Sequence, residues 1–291
     1  MSSIWIKKFI YSIYSLVKIV LLSKPGYRIP VLEKEEIVVI GNAPSFGEDL
    51  QKYPDFFKSK ELLCVNNFPS SENYERLQPR YIVLIDNGYY PANNKLLPWA
   101  EKTLNAIAEK TTWEVTLFIP QLARKADLVN SIPAKNKMVK INYYNYTVLD
   151  GFDWLVHRLF RANLGMVLCK NVIVAAIFIS INMRYKKIYL TGVDNSFFKD
   201  IAVPKDNELY VSMSYFYAKD KDKHTGHFYN NLEKNEKMDV TDFFRWCYFS
   251  FLSYKKLKAY SKYQKVQVIN TTIHSYIDAF EKKSIDEITE S

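Results

Sequence analysis

The sequence predicts an α/β fold: a single Rossmann-like domain with a mostly parallel sheet, a lid segment and an N-terminal amphipathic helix. Three observations carry that expectation. Short continuous apolar runs recur along the chain, as strands covered on both faces require. Several runs end on Gly, Asn or Asp, residues suited to tight turns and ligand contact at the carboxyl end of a strand. A strongly apolar segment at 172–185 stands just before one such run, repeating the helix-then-strand order of an α/β unit. With 291 residues, 48% of them hydrophobic, the chain can bury a large core.

Residues 4–22 are apolar and aromatic, but Lys7, Lys8 and Lys18 interrupt the run before it reaches the length of a membrane span. On a helix of about 3.6 residues per turn, Trp5, Ile6, Phe9, Ile10, Ile13, Leu16, Val17, Val20 and Leu21 share one broad face. Lys7, Lys8, Ser12, Ser15 and Lys18 gather opposite, and Ile4, Ile19 and Leu22 depart from the pattern. This predicts a helix in a bilayer interface with its lysines toward anionic headgroups, the alternative being a helix packed on the domain. The expected organisation is this surface helix in 1–28, a linker in 29–36 after the break at Ser23–Gly26, and the Rossmann-like domain in 37–291. No small-x-small cleavage site follows the apolar run, which argues against a secretory signal. The expected location is cytoplasmic, peripheral on the inner face of the membrane.

The first strand is expected at Ile37–Ile40, ending on GNAPSFGE, Gly41 to Glu48. Gly41 permits close backbone approach, Pro44 stiffens the turn, and Ser45 with Glu48 matches a capping box. Backbone amides there, with the Asn42 and Ser45 side chains, could meet a phosphate or ribose. A plain strand-to-helix turn is the alternative. The segment is not GxGxxG, which argues against a dinucleotide dehydrogenase. Strands at 62–65 and 81–85 end on Asn66 and Asn67, and on Asp86, Asn87 and Gly88, so polar groups gather on one rim. Asn171 reads as the N-cap of a helix over 172–185, and the strand at 187–190 ends on Thr191, Gly192 and Asp194. A late strand at 266–269 leads to Asn270, Thr271 and Thr272, and Ser275 stands before an expected last amphipathic helix.

Cys64, Cys169 and Cys247 are too few and too far apart for a disulfide framework or a CxxC knuckle, and read as small buried hydrophobes in a reducing compartment. The NxT matches at Asn145 and Asn270 carry little weight without a secretory signal. A formal charge of +9 draws polyanions, among them nucleic acid, anionic lipid and phosphorylated sugar donors. The basic residues are scattered, without basic blocks or zinc-ligand spacing, which argues against nucleic acid.

GNAPS (41–45), VNNF (65–68), the apolar helix running into KKIYLTGVD (186–194), TGH (225–227) and VINTTIHSYID (268–278) together resemble the bacterial lipooligosaccharide sialyltransferases. The corresponding family segments read GNGPS, CNQF, KEIYLSGID and IGHS. The likeness spans roughly residues 37–280, in order, as islands. It implies an inverting transfer of sialic acid from a cytidine monophosphate (CMP) donor to a glycolipid or lipooligosaccharide acceptor, with no obligatory metal or cofactor; a homo-oligomer is compatible with it. By matching positions, Gly41, Asn42, Ala43 and Ser45 would meet phosphate or ribose. Asn66 and Asn67 would lie beside the donor, Asp86 would stand where the family has an asparagine, and Gly192, Asp194, Asn270 and Thr272 would complete the donor site. The family's GH histidine, its proposed general base, corresponds to His227. That residue lies in the polar stretch Lys219 to Asn231, read as part of a lid over about 197–231, with His224 as its neighbour. His157 and His274 read as capping or packing helices.

The chain departs from the family where a tyrosine should follow GID to stabilise the departing phosphate. Here Asn195, Ser196 and Phe197 follow Asp194, and Tyr210, Tyr215 or Tyr217 could supply the hydroxyl. Arg161 and Asn171 are candidates for an arginine and serine that the family carries before the apolar helix. Other readings are a transferase using another CMP-activated sugar, or a pterin-type pyrophosphokinase needing magnesium at Asp86 and Asp194. A non-catalytic membrane-surface adaptor would use Phe243, Phe244, Trp246, Tyr248, Phe249 and Phe251 as a partner-binding stripe, for which a core helix is the simpler reading.

Overall fold

The computed structural model describes residues 3–91, 93, 95–217, 224–231 and 234–290. Helix α1 (Ser3–Leu22) precedes β1 (Glu36–Ile40), and α2 (Pro44–Lys52) and α3 (Pro54–Lys58) lead to β2 (Glu61–Val65). Next come α4 (Asn73–Leu77), β3 (Tyr81–Val83), α5 (Pro98–Lys110), β4 (Val115–Pro120), α6 (Asp127–Lys135) and β5 (Val139–Tyr144). Then α7 (Asp153–Arg161) and α8 (Val172–Asn182) lead into β6 (Lys187–Thr191). Five short strands follow: β7 (Ile201–Ala202), β8 (Tyr210–Met213), β9 (His224–Gly226), β10 (Tyr229–Asn231) and β11 (Glu236–Lys237). The long α9 (Val240–Gln264), β12 (Gln267–Asn270), β13 (Glu281–Lys282) and α10 (Ile285–Thr289) complete the chain.

Eight strands form one sheet in the order β13-β12-β6-β1-β2-β3-β4-β5, and every neighbouring pair is parallel. The apolar runs of the sequence follow from this arrangement, because helices cover both faces. Ile37 and Val39 point into the cluster with α8 and α9, while Val38 and Ile40 point into the cluster with α2, α3 and α5. Helix α8 is buried from Ile173 to Asn182, as a helix apolar all round must be. Its polar side chains are satisfied inside: Ser180 Oγ donates to Ala176 O, and Asn182 Nδ2 donates to Phe160 O. All three cysteines are buried and free, and burial pushes the Cys169 and Cys247 thiols up to about 12 and about 11.

Several boundaries differ from the sequence reading. Helix α8 stops at Asn182, short of 185, because Arg184 takes a left-handed conformation (φ 62°) and Met183 O accepts from Leu32 N and Glu33 N. The expected Ser45–Glu48 capping box is absent. Ala43 is the N-cap of α2, with no side-chain cap bond, Pro44 opens the helix, and the Ser45 hydroxyl is turned to Asp194. The residues directly after Ser275 are not helical, and its hydroxyl donates to Val193 O and accepts from Ile277 N. The last helix starts after Ser284, which forms a capping box with Glu287. His274 accordingly lies exposed in a turn, neither capping nor packing a helix.

The segment read as a lid over 197–231 carries its own small sheet, β7-β8-β9, antiparallel throughout, with β10 pairing β11 beside it. Leu209 and Val211 pack there against Phe243 and Cys247 of α9. Residues 218–223 of the polar stretch lie outside the described residues. Of the aromatic stripe on α9, Phe243 is buried in this cluster, Trp246 packs beside it, and Phe244 and Tyr248 are exposed.

Helix α1 shows the two faces its sequence implies, but docks polar side inward. Ser12 and Ser15 are its buried residues. Ser12 Oγ accepts from Phe152 N (3.0 Å), and Ser15 Oγ donates to Asp150 O (2.7 Å) while accepting from Asp150 N (2.8 Å). Gly151, at φ +136°, lies so close that a Cβ there would meet Ser12 N at 2.7 Å. Lys8 pairs with Asp153 at 3.0 Å and Lys18 donates to Val148 O. These two lysines therefore face the protein, and their expected orientation toward headgroups is overturned by partners supplied by the 148–153 loop. The segment after α1 also runs against the domain: Ile29 is buried, and Asn142 Nδ2 donates to Arg28 O (3.2 Å).

Candidate active site

Strand β1 lies between β2 and β6, so the order of connections reverses there and a crevice opens at the carboxyl ends of β1 and β6. Two glycines make its floor. Gly41 N donates to Thr191 O (2.8 Å) and Ala43 N to Gly192 O (3.1 Å). A Cβ on Gly41 would fall 2.1 Å from Gly192 O, and Gly192, at φ +64°, would bring a Cβ within 2.6 Å of Phe46 Cβ. Only residues without a Cβ let the two strand ends approach so closely.

Above this floor lies a cavity of about 1620 Å³. Pockets that take one drug-sized ligand run to roughly 300–1,000 Å³, so this cavity has room for more than one such group. Asn42, Asn66, Asp86, Asp194 and Asn195 line it from the sheet rim, and Lys170 and Asn171 from the start of α8. Lys95, Trp99, Leu122, Lys125 and Tyr146 line it on the β3 to β5 side, and Ser212, Tyr215, His227 and Phe228 from the small antiparallel sheets.

Among the described residues, three amides lining the cavity are incompletely paired. Asn42 Nδ2 donates to Val65 O (3.2 Å), leaving Asn42 Oδ1 buried without a protein partner. Asn66 Oδ1 is in the same state, on a left-handed backbone (φ 47°) whose own N–H is held by Val83 O. Asn195 Oδ1 accepts from Asn171 Nδ2 (2.9 Å), and Asn195 Nδ2 has no protein partner. A buried polar atom left unpaired costs about 1–3 kcal/mol. Two acceptors and one donor around one cavity therefore favour a ligand rich in hydroxyl and amino groups.

The carboxylates are placed differently. Asp194 accepts from the Ser45 hydroxyl, and burial lifts its pKa above the ordinary carboxylate value despite that bond. Asp86 accepts from Gly88 N (2.9 Å) and is also raised by burial. Asp49, outside the cavity, accepts from Thr191 Oγ1 (2.7 Å) and is raised for the same reason. Asp194 thus sits at the start of α2, where a phosphate would meet a carboxylate. The start of α8, where Asn171 Oδ1 caps Ile173 N (2.8 Å) and Lys170 stands beside it, is the more favourable end for an anion.

His227 lines the cavity from the lid side. Its Nδ1 is 2.9 Å from Leu209 O, a contact that requires Nδ1–H to donate and leaves the lone pair of the neutral ring on Nε2. Nε2 lies 3.3 Å from Glu208 Oε2, and that carboxylate also receives Lys237 Nζ. The Tyr210 ring lies 4.3 Å from the imidazole, centroid to centroid, and its hydroxyl donates to Asp206 Oδ2 (2.9 Å). Tyr215 faces the cavity and stacks on Tyr217 at 5.3 Å, and burial raises both phenols.

Of the residues singled out in the sequence, Gly41, Asn42, Ala43, Asn66, Asp86, Gly192, Asp194, Tyr215 and His227 meet at this cavity. Others support it from behind. Asn67 Oδ1 accepts from Tyr89 OH (2.6 Å) and Thr103 Oγ1 (3.1 Å), Thr272 Oγ1 accepts from Val193 N (3.2 Å), and Asn270 Oδ1 accepts from Thr272 N (3.1 Å). Ser45 is given to Asp194. Arg161 is exposed at the end of α7, and His157 packs among the rings of Phe160, Tyr260 and Tyr263, where burial lowers its pKa. His224 pairs with Met213 through the backbone of β9. The cavity also holds Asn195 as a donor and Lys95, Lys125 and Lys170 as cations, and Glu208 stands beside His227, none of which the sequence motifs mark. Asn195 was within reach, because it follows a strand end as Asn42 and Asn66 do; nothing in sequence pairs Glu208 with His227.

No protein-family model matches the chain, and no curated protein matches it. Among solved structures the chain is similar to the MAf glycosyltransferase from Magnetospirillum magneticum AMB-1, at 12% identity and a TM-score of 0.49, over 94% of this chain and 38% of that one. The chain thus spans well under half the length of that protein.

Proposed function

We propose that this chain is a sialyltransferase-like glycosyltransferase that takes an acidic sugar from a CMP donor and passes it to a glycolipid or lipooligosaccharide hydroxyl with inversion. The observation that carries the reading is the trio of amides, Asn42, Asn66 and Asn195, each with one buried atom unpaired among the described residues, at the switch point of a parallel sheet. Ribose hydroxyls and the cytosine amino group would satisfy the two Asn oxygens, and a phosphate or sugar carboxylate the Asn195 nitrogen. Lys170 and the start of α8 would hold the phosphate, with Lys95 and Lys125 adding positive potential for a doubly anionic donor. The resemblance in the strand-end and TGH segments supports the choice of cytidine.

In the reaction, the acceptor oxygen attacks the anomeric carbon as the bond from that carbon to the phosphate oxygen breaks, and CMP departs with the bonding pair. The acceptor proton passes to His227 Nε2, where the Glu208 carboxylate stabilises the imidazolium. Tyr215, which lines the cavity, would donate to a leaving-group oxygen. The test is a nucleotide panel followed by thermal unfolding: a ligand at a hundredfold excess over its Kd stabilises by about 2.7 kcal/mol, and CMP should exceed uridine, adenosine and guanosine nucleotides. Equal or absent responses to all of them would end the cytidine assignment. Stabilisation only by a triphosphate with magnesium would favour the pyrophosphokinase, with Asp86 and Asp194 as its candidate ligands.

A further inference from the structure

Helix α1 is inverted relative to an ordinary surface helix. Its serine side is bonded into the domain, and its apolar side is left open. Thirteen of the twenty-four exposed large apolar side chains among the described residues lie on this one helix, including Val20 at 83% and Leu21 at 71% exposure. Single exposed apolar residues are common on proteins, but a continuous surface of this kind marks a contact with another phase or molecule.

The helix is not positioned to cross a bilayer. No described helix is long and apolar enough to do so, and α1 is tied by Lys8, Ser12, Ser15 and Lys18, and by Ser23 just past its end, to residues 147–153 and Leu164. At about 1.5 Å per residue its 20 residues would extend roughly 30 Å in the plane of a surface. Charge selects the surface. Lys8 and Lys18 are held by Asp153 and Val148 O, but Lys7, Lys24 and Arg28 stay exposed, and the first 32 residues carry no Asp or Glu. Two such helices facing one another would oppose like charges, whereas anionic headgroups complement them. Trp5, Tyr11 and Tyr14 on the exposed side, with Trp154 just after the Lys8 partner Asp153, are the aromatic types that settle at headgroup depth.

The end of α1 borders the cleft. Gln121 Nε2 donates to Leu22 O (3.2 Å), and the next residue, the exposed Leu122, lines the cavity together with Lys125. We propose that α1 is a fixed, in-plane docking element that seats its apolar face in the interfacial region of an anionic bilayer and thereby presents the Leu122–Lys125 side of the cleft to an acceptor anchored in that bilayer. The acceptor clause rests on the glycosyltransferase reading; the docking clause does not.

The experiment uses the full chain with phosphatidylcholine vesicles, with and without phosphatidylglycerol, and the variant Ile10→Glu/Ile13→Glu/Val17→Glu, whose three positions are exposed. The wild type should pellet with the anionic vesicles more than with the neutral ones. The triple variant should lose roughly tenfold or more of that binding while keeping its cooperative melt and its response to CMP. Wild-type protein that stays in the supernatant with anionic vesicles overturns the proposal, and so does undiminished pelleting of the variant. A wild-type dimer in light scattering that the variant breaks, without vesicle binding, assigns the face to a second copy instead. If vesicle binding behaves as expected but CMP gives no stabilisation, the glycosyltransferase reading falls and the docking assignment stands.

Discussion

The cleft and the outer face of α1 are both surfaces the fold leaves incomplete, in opposite senses. In the cleft, Asn42, Asn66 and Asn195 hold polar atoms that no group among the described residues satisfies. On α1, side chains such as Ile10, Val20 and Leu21 stand where no protein group covers them. The first kind of surface selects a ligand rich in hydrogen-bonding groups, the second an apolar medium. The difference shows that a helix's apolar content does not decide which side turns inward. Helix α8 is apolar all round and buried, whereas α1 is apolar over most of its circumference and docks through its polar stripe, whose Ser12 and Ser15 meet the amides of the 150–152 loop beside Gly151.

The largest expected effect belongs to the cleft. His227→Ala should lower kcat by about 10²- to 10⁴-fold with donor affinity nearly unchanged, because a general base acts in the transition state and not in donor binding. Steady-state transfer kinetics beside CMP calorimetry check this, and a folded variant that transfers sugar at the wild-type rate would remove His227 from the mechanism. The next effect belongs to α1. Gly151→Ala puts a Cβ against the Ser12 backbone at a positive φ and should cost about 1–3 kcal/mol, read as a lower Tm and faster proteolysis between α1 and β1. A variant with the wild-type melt and protection would mean that the serine-side docking contributes little.

Much of the fold was legible because strands buried on both faces leave continuous apolar runs, so β1, β2, β6 and β12 were read within a residue or two. The rim was legible for the same reason: polar strand ends next to apolar runs stand out. The small antiparallel sheets were not, since strands of two to four residues such as β7 and β11 carry too little periodicity to distinguish them from loop. Asp194 at the start of α2 was hidden because the bond joins segments far apart in sequence, and Ser45 looked like a local cap. For α1, the faces were legible and their orientation was not; partners on the 147–153 loop decided it.

Two smaller effects sharpen the contrast. Asn42→Ala should weaken CMP binding by about 1–3 kcal/mol while leaving Tm close to wild type, because the side chain already carries an unpaired oxygen in the free protein. A drop in Tm with unchanged affinity would make the residue structural. Burial raises the Asp194 carboxyl above its ordinary 3.8, so the folded chain binds that proton more readily than the unfolded chain. Wild-type stability therefore falls as pH rises from about 3.8 through the raised value, and the penalty is complete above it. Asp194→Asn removes this penalty and still accepts from Ser45, so it should raise stability near neutral pH, within about 1 kcal/mol, and give no gain below pH 3.8. Melts across that range check the sign, and a variant less stable at neutral pH would show that the charge itself holds the turn.

The pairing of β1 with β6 also sets a timetable. Ser45 and Asp194 are separated by 149 residues of chain, and β1 has no partner on that side until β6 has been made. At about 5–20 residues per second, a ribosome needs roughly 7–30 s to span that interval. Throughout it the β1 edge stands open beside strands already able to pair with one another. The floor of the cleft is therefore assembled late, and a chain released before β6 carries five of the eight strands without the Gly41–Gly192 floor.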